Sequence, residues 1–324
     1  MTAAEWARVS SDAFNVALFA YIGAMVLSFA FLAFRRDGLH TAAIAVGVVG
    51  LAANLMSIVG RGIAADRTPW GNMYEYSSLL TALIVLAYLV IVEWRYRVRT
   101  LGGFVFAFAI FTMAMAVSFF YVGPTDLLPA LNSYWRQIHV TAMITASSLL
   151  GIGCLFTILY LVKLGSERRQ VAALRAQTPP PILGGSVEAD LGTDAPPDYA
   201  PGADEPVGSG APAEPARRIG LPPSATLDRL AYRFIQFGFP IWTFGVLCGA
   251  IWAQQTWGRY WGWDPKETWS FITWTIFAGY LHARATAGWR GTKAAAVALV
   301  GFVSLLITYY AVNLWIAGLH TYAK

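Results

Sequence analysis

The chain has 324 residues, of which 57% are hydrophobic and only 13% charged, with a mean hydropathy of +0.52. Those values exclude a soluble domain around one large core and point to an all-α, polytopic membrane protein. The net charge of +5 is modest, and the basic residues lie between apolar runs, so they report orientation rather than nucleic-acid binding.

The N-terminus, M-T-A-A-E-W-A-R-V, lacks the basic start and small-residue cleavage site of a secretory signal, so the first apolar run is expected to remain in the mature chain. Apolar runs near 14–34, 41–60, 77–94, 101–121, 138–163, 233–254, 268–285 and 293–314 approach or exceed the roughly 20 residues that cross a hydrocarbon core as a helix. About eight transmembrane helices are therefore expected. The seventh is short and polar (T-W-S-F-I-T-W-T) and is expected to face other helices rather than lipid.

Arginines 35 and 36 follow the first run, Arg95, Arg97 and Arg99 follow the third, and Arg284, Arg290 and Lys293 follow the seventh. The positive-inside rule makes these loops cytoplasmic. Both termini, segments 61–76 and 122–137, and the stretch after the sixth run then lie outside. Segment 61–76 is polar and punctuated by Pro69 and Gly71, which marks a loop. Its Asn72 and Glu75 are candidate site residues, against the commoner roles of turn residue and acid of a helix start.

Residues 165–226 are rich in Pro, Gly and Ala and nearly free of aromatics. Such a stretch buries too little apolar surface to offset its ordering entropy, so a disordered cytoplasmic linker is expected between membrane regions 1–164 and 227–324. Its first dozen residues are able to extend the fifth helix. Asp228 to Tyr232 reads as a short surface helix before the sixth span, in which Pro240 is expected to kink the backbone. The two cysteines, Cys154 and Cys248, lie in apolar runs, and no C-x-x-C or C-x-x-C-H occurs. The chain is thus neither a thiol-redox protein nor a covalent haem carrier.

Trp257 to Trp269 reads W-G-R-Y-W-G-W-D-P-K-E-T-W, with no Leu, Ile or Val. Two readings are open. Clustered Trp and Tyr suit an aromatic belt at the membrane boundary. The same rings (Trp257, Tyr260, Trp261, Trp263 and Trp269) also make a shelf for a flat apolar ligand such as a porphyrin. Within D-P-K-E, Asp264, Pro265 and Glu267 match a capping box that starts a helix. Arg259 and Lys266 are cations suited to the carboxylates of a haem edge.

Of the four histidines, His139 opens the fifth span and His320 follows the eighth. Four crossings separate them, so they share a face with the tryptophan stretch. A pair of imidazoles is able to hold haem iron from both sides, whereas two solvated interfacial rings are the competing reading. His282 stands thirteen residues after Trp269, about 20 Å along a helix. That depth makes it a functional candidate, with a structural histidine snorkelling beside Arg284 as the rival. His40, near Arg36 and Asp37, is expected to be solvated and carries no role.

The central stretch resembles the tryptophan-rich WWD signature of haem-handling proteins. With G-F-P-I-W-T-F-G-V-L-C-G-A-I-W-A, N-M-Y-E and L-H-A-R, the chain is similar to the CcsA/ResC family of System II cytochrome c biogenesis. The resemblance implies a haem-export subunit of a holocytochrome c synthase (cytochrome c haem lyase) complex. Such a subunit moves haem b across the bacterial cytoplasmic membrane and presents it to a C-x-x-C-H apocytochrome c. It implies a ResB-type membrane partner and thiol-reducing partner proteins. It maps His139 and His320 onto external haem ligands flanking the WWD segment, 256–269. It maps His282 onto one ligand of an inner haem site, whose second ligand lies in the partner. The linker is not part of the family pattern. A CcmC-like haem delivery protein and a bis-histidine haem b electron-transfer subunit are the alternatives; the number of spans and the N-M-Y-E loop disfavour the first, and a lone inner histidine the second.

Overall fold

The computed structural model describes residues 1–124, 133–177 and 220–319. They form eight helices: α1 (Ala3–Phe34), α2 (Asp37–Ala64), α3 (Met73–Arg95), α4 (Gly102–Phe119), α5 (Tyr134–Gln177), α6 (Ser224–Trp257), α7 (Pro265–Ala285) and α8 (Gly291–Trp315). No strand occurs among the described residues. By contacts the chain divides into a main unit, Met1–Lys163 with Gly220–Lys324, and a second unit, Leu164–Ile219. In the second, the described residues are the mostly exposed last turns of α5. Residues 178–219 of the expected linker lie outside the described residues.

Seven helices are long and apolar enough to cross a membrane. The eighth, α7, has 21 residues, but Thr268, Ser270, Thr273 and Thr275 lower its hydropathy. One of these hydroxyls turns inward onto α8: Thr273 Oγ1 meets Ser304 Oγ at 2.7 Å and Thr308 Oγ1 at 3.2 Å. The helices also run beyond the apolar windows. Thr2 and Glu5 form a capping box that starts α1 at Ala3. Asp228–Tyr232 is not a separate surface helix, since α6 is continuous from Ser224 and passes through Pro240.

The main core is aromatic and aliphatic, with Leu150, Ile235, Trp242, Phe277, Tyr280 and Leu305 packed together. Polar anchors punctuate it. Glu75 is 2% exposed and gathers Arg61 Nε at 2.9 Å, Arg67 Nη1 at 2.7 Å and the Gly71 N–H at 2.7 Å. Asn72 caps α3 by accepting from the Glu75 N–H at 2.9 Å. This latch folds the α2–α3 connection back on itself and neutralises arginine charge in a segment expected outside.

His40 corrects an expectation. It is buried at 9% exposure, with Nε2 2.8 Å from Glu93 Oε1 and its ring on Phe31. Tyr88 donates to the same carboxylate at 3.3 Å. Glu93 belongs to a π-helical stretch of α3, Tyr88–Arg95. That partner is distant in sequence, so the local pattern around His40 reads as a solvated boundary.

Removing Glu75 strands two largely buried guanidinium groups. Glu75→Ala is expected to cost about 3–5 kcal/mol, read as a large loss of thermal stability in detergent. Asp37→Ala breaks only the exposed 3.4 Å pair with Arg99 and should change stability by under about 1 kcal/mol.

Candidate functional site

One cavity opens where α3, α5, α6, α7 and α8 converge. Counted with the open solvent at its mouth, its space is about 1110 Å³. Its walls are mostly apolar, with Trp70, Met143, Trp242, Val246, Trp252 and Trp261 among them, and carry a few charged groups, Glu267 included.

His139, one turn into α5, faces this space. Its Nδ1 lies 2.7 Å from the carbonyl oxygen of Gly245 on α6. A carbonyl only accepts, so Nδ1 carries the proton and donates. The lone pair then sits on Nε2, the arrangement that prepares an imidazole to bind a metal. The ring stacks on Trp252, centroids 6.0 Å apart and planes 25° from parallel, and Trp252 in turn meets Trp257 at 5.2 Å.

Gly249 explains how the imidazole comes so close to α6. A Cβ there would sit 2.7 Å from His139 Nδ1. Trp242, Gly245, Gly249 and Trp252 follow the 3-4-3 spacing of one helical face. Two indoles thus flank two glycines: Gly249 makes room for His139, and Gly245, whose Cβ position faces Met143, lends its carbonyl. The spacing W-x-x-G-x-x-x-G-x-x-W was available in the sequence but hides inside an evenly apolar span.

The tryptophan stretch divides. Tyr260 and Trp261 line the cavity. Trp257 and Trp269 are half-buried outside its lining, and Trp263 is 68% exposed. Trp263 has left-handed backbone, φ 58°, a conformation that a bulky residue adopts at a cost. Its indole packs edge-on to Trp261 at 5.8 Å and to Phe271 at 6.5 Å. The wall is completed by Trp70, Trp242 and Trp252, none of which the stretch itself predicts.

Asp264 and Glu267 form the expected capping box of α7. Glu267 Oε2 accepts from the N–H of Gly262 at 2.8 Å and of Asp264 at 3.1 Å, and Asp264 Oδ2 accepts from Lys266 N at 3.3 Å. Asp264 has a second use: its Oδ1 accepts from the N–H of Leu319 at 2.7 Å. Gly318 permits this approach, since a Cβ there would lie 2.6 Å from the same oxygen. The end of the described chain is therefore pinned to the start of α7, next in sequence to His320, which lies outside the described residues.

Among the candidate cations, Lys266 lines the cavity and donates to Asn313 Oδ1 at 2.8 Å. Arg259 is exposed and is not part of the lining. Arg136, unforeseen in the sequence, is 3% exposed and lines it. Asn72 contributes to the lining, whereas Glu75 stays in its latch behind it.

The α8 wall contains a π-helical stretch, Ile307–Ala311. The widened turn sets Thr308 and Tyr309 on the cavity, and Asn313 Nδ2 donates to the Tyr309 carbonyl at 2.5 Å. Such interruptions concentrate at functional sites.

His282 is not part of this cavity. It occupies the last turn of α7 and is exposed. Two residues on, Arg284 turns inward to Asp228 in a bidentate pair of 2.7 and 3.0 Å, with its guanidinium 4.7 Å from the Tyr232 ring. Residues two apart on a helix face opposite ways, so this clamp leaves His282 on the outer surface of the bundle.

The family described as "Cytochrome C assembly protein" matches residues 70–320. A protein named "Cytochrome c biogenesis protein CcsA" from Gloeobacter violaceus is 36% identical over 95% of this chain and 94% of its own. The chain belongs to the CcsA family of cytochrome c assembly proteins. The protein of the same name from Porphyra purpurea is 35% identical, covering 95% of each chain. A solved structure described as "Cytochrome c Heme Lyase CcmF" superposes with a TM-score of 0.64 at 16% identity. It matches 96% of this chain, which spans about half (47%) of that larger one, and shares the fold.

The slot for His139 makes a clear demand on Gly249. Gly249→Ala should force the imidazole to move and cost about 1–3 kcal/mol. Gly279→Ala, where nothing lies within 4 Å of a new Cβ, should leave thermal stability unchanged or raise it by up to about 1 kcal/mol.

Proposed function

We propose that this protein is the haem-handling subunit of a System II type cytochrome c synthase, and that the cavity holds haem b for delivery to apocytochrome c. The observation that carries this reading is the His139 imidazole, whose Nδ1 is fixed on the Gly245 carbonyl beside Trp252. A planar apolar macrocycle with a metal at its centre suits aromatic walls and one pre-oriented nitrogen donor. His320 is the proposed second axial ligand, since Asp264 anchors the residue that precedes it.

In this scheme haem is the substrate. Each thiol of the apocytochrome C-x-x-C-H adds across one vinyl group, forming a carbon–sulfur bond while its proton ends on the neighbouring carbon. No side chain of the site is needed as acid or base. The protein's contribution is to hold the ring still and exclude competing orientations. Trp261 and Tyr260 line the cavity where a partner peptide would approach, and Trp263 offers an exposed indole beside them. Trp257 supports Trp252 from behind, while Trp269 and Arg259 belong to the surround.

His282, on the outer surface of the last turn of α7, is placed in this proposal as one ligand of an inner haem site completed by a ResB-type membrane partner. Thiol-reducing proteins would keep the apocytochrome cysteines free. The chain is a multi-pass membrane protein. We place it in the bacterial cytoplasmic membrane with both termini and the WWD segment outside and residues 165–226 inside, from the arginine pattern of the loops.

The test compares His139→Ala with His139→Cys in the purified complex. Both variants should retain less haem than wild type. The thiolate variant should keep a six-coordinate spectrum at a shifted potential, and the alanine variant should show an open coordination position and easier oxidation. Variants indistinguishable from each other and from wild type would remove His139 from the iron.

A further inference from the structure

The end of the bundle opposite the cavity is rich in arginine. Arg95, Arg97 and Arg99 stand at the α3–α4 connection and Arg233 on α6, all of them exposed. Tyr96 gathers two of these groups. The Arg233 guanidinium lies 5.3 Å from the Tyr96 ring centroid and its Nη1 donates to the hydroxyl, while the Arg95 guanidinium lies 5.9 Å from the same ring. Arg99 reaches Asp37, at the start of α2, in an exposed pair of 3.4 Å. The nearby carboxylates are engaged elsewhere: Glu93 holds His40, and Asp228 holds Arg284.

Water solvates exposed guanidinium groups, so this patch needs no partner within the protein. Its consequence is a positive field at a membrane boundary, the place where anionic headgroups concentrate. Arg97 adds its charge from a left-handed backbone, φ 54°, a region that residues other than glycine enter at a cost.

Apolar groups begin directly beneath the charges. From this end α6 runs towards the tryptophan stretch, so Phe237, one turn after Arg233 on the same face, lies deeper and is 66% exposed. On α3, which runs the other way, Trp94 just before Arg95 is 76% exposed, and Val90 is exposed one turn deeper. Guanidinium groups above exposed apolar side chains match an amphiphile with an anionic head and an apolar chain. A soluble anion uses only the charges. A zwitterionic lipid brings its own cation into the cluster and gains less.

We propose that Arg95 and Arg233, gathered on Tyr96, form a headgroup site for an anionic phospholipid of the phosphatidylglycerol type, with an acyl chain along Trp94 and Phe237. The guanidinium forks take the phosphate in charge-assisted hydrogen bonds, and Arg97 and Arg99 supply the surrounding field. The lipid then bridges α3 and α6, both of which contribute to the cavity at the other end.

The test reads Trp94 fluorescence in the full-length protein reconstituted into phosphatidylcholine vesicles. A brominated lipid quenches an indole it touches, and Trp94→Phe in each background supplies the emission to subtract. Brominated phosphatidylglycerol should quench the Trp94 component at an about five- to thirtyfold lower fraction than brominated phosphatidylcholine, from roughly fivefold for each arginine. High salt should narrow that gap. Arg95→Gln combined with Arg233→Gln should bring the two lipids to parity, whereas Arg95→Lys combined with Arg233→Lys should retain most of the difference. Equal quenching by both lipids in the wild type, or a preference that survives the paired Gln substitutions in full, would overturn the assignment. Inorganic phosphate added at constant ionic strength should leave the preference in place; its loss would make the patch a site for free anions and would end the lipid assignment. If the paired Gln substitutions prevent folding, the wild-type ratio and its response to phosphate still decide.

Discussion

The site depends on one hydrogen bond, from His139 Nδ1 to the Gly245 carbonyl at 2.7 Å. It joins α5 to α6 and decides the tautomer of the imidazole. It also turns Nε2 into a fixed donor instead of a swivelling one. The bond forms because α6 offers the Gly245 carbonyl and a glycine at 249, where a Cβ would lie 2.7 Å from the ring, while a Cβ at 245 would meet Met143 Sδ at 2.6 Å. Trp252 then closes over the imidazole and Trp242 bounds the same face. Local sequence, helix packing and the chemistry of the donor are here one constraint.

Around this centre, carboxylates act as latches and not as reactants. Glu75 holds the α2–α3 connection through Arg61, Arg67 and Gly71, which supports Trp70 and Asn72 on the cavity wall. Glu267 and Asp264 fold the turn before α7 and bring Trp261 to the same wall; Asp264 also holds Leu319. The Glu75 and Glu267 latches are local in sequence, whereas Asp264 also reaches Leu319, 55 residues away. That is how polar residues at helix ends convert a bundle of apolar rods into a site with fixed side chains. The mouth is thus built from helix starts, where unpaired N–H groups need such acceptors in any case.

The helical, membrane-spanning character was legible from apolar runs, and the start of α7 from D-P-K-E alone. The choice of tryptophans was not. Composition drew attention to Trp257, Trp261, Trp263 and Trp269, yet of these Trp261 lines the cavity, and Trp70, Trp242 and Trp252 make up the rest of its tryptophans. Density along the chain marks a boundary, whereas the cavity is lined by residues brought together from five helices. His40 failed for the same reason: it reads as a boundary residue from its neighbours and is buried beside Glu93, far away in sequence. Arg136, which drew no sequence reading, is buried with the distant Trp70 carbonyl as one partner. The outward direction of His282 likewise follows from the inward Arg284–Asp228 pair, which spacing alone does not reveal.

The most direct test of the account is the structure of the haem-loaded protein in a lipid nanodisc. The account predicts the porphyrin inside the α3–α5–α6–α7–α8 cavity, with its iron on Nε2 of His139 and Nδ1 still on the Gly245 carbonyl. Iron bound through Nδ1, or a porphyrin seated on the exposed Trp263 face with the cavity closed, would contradict it.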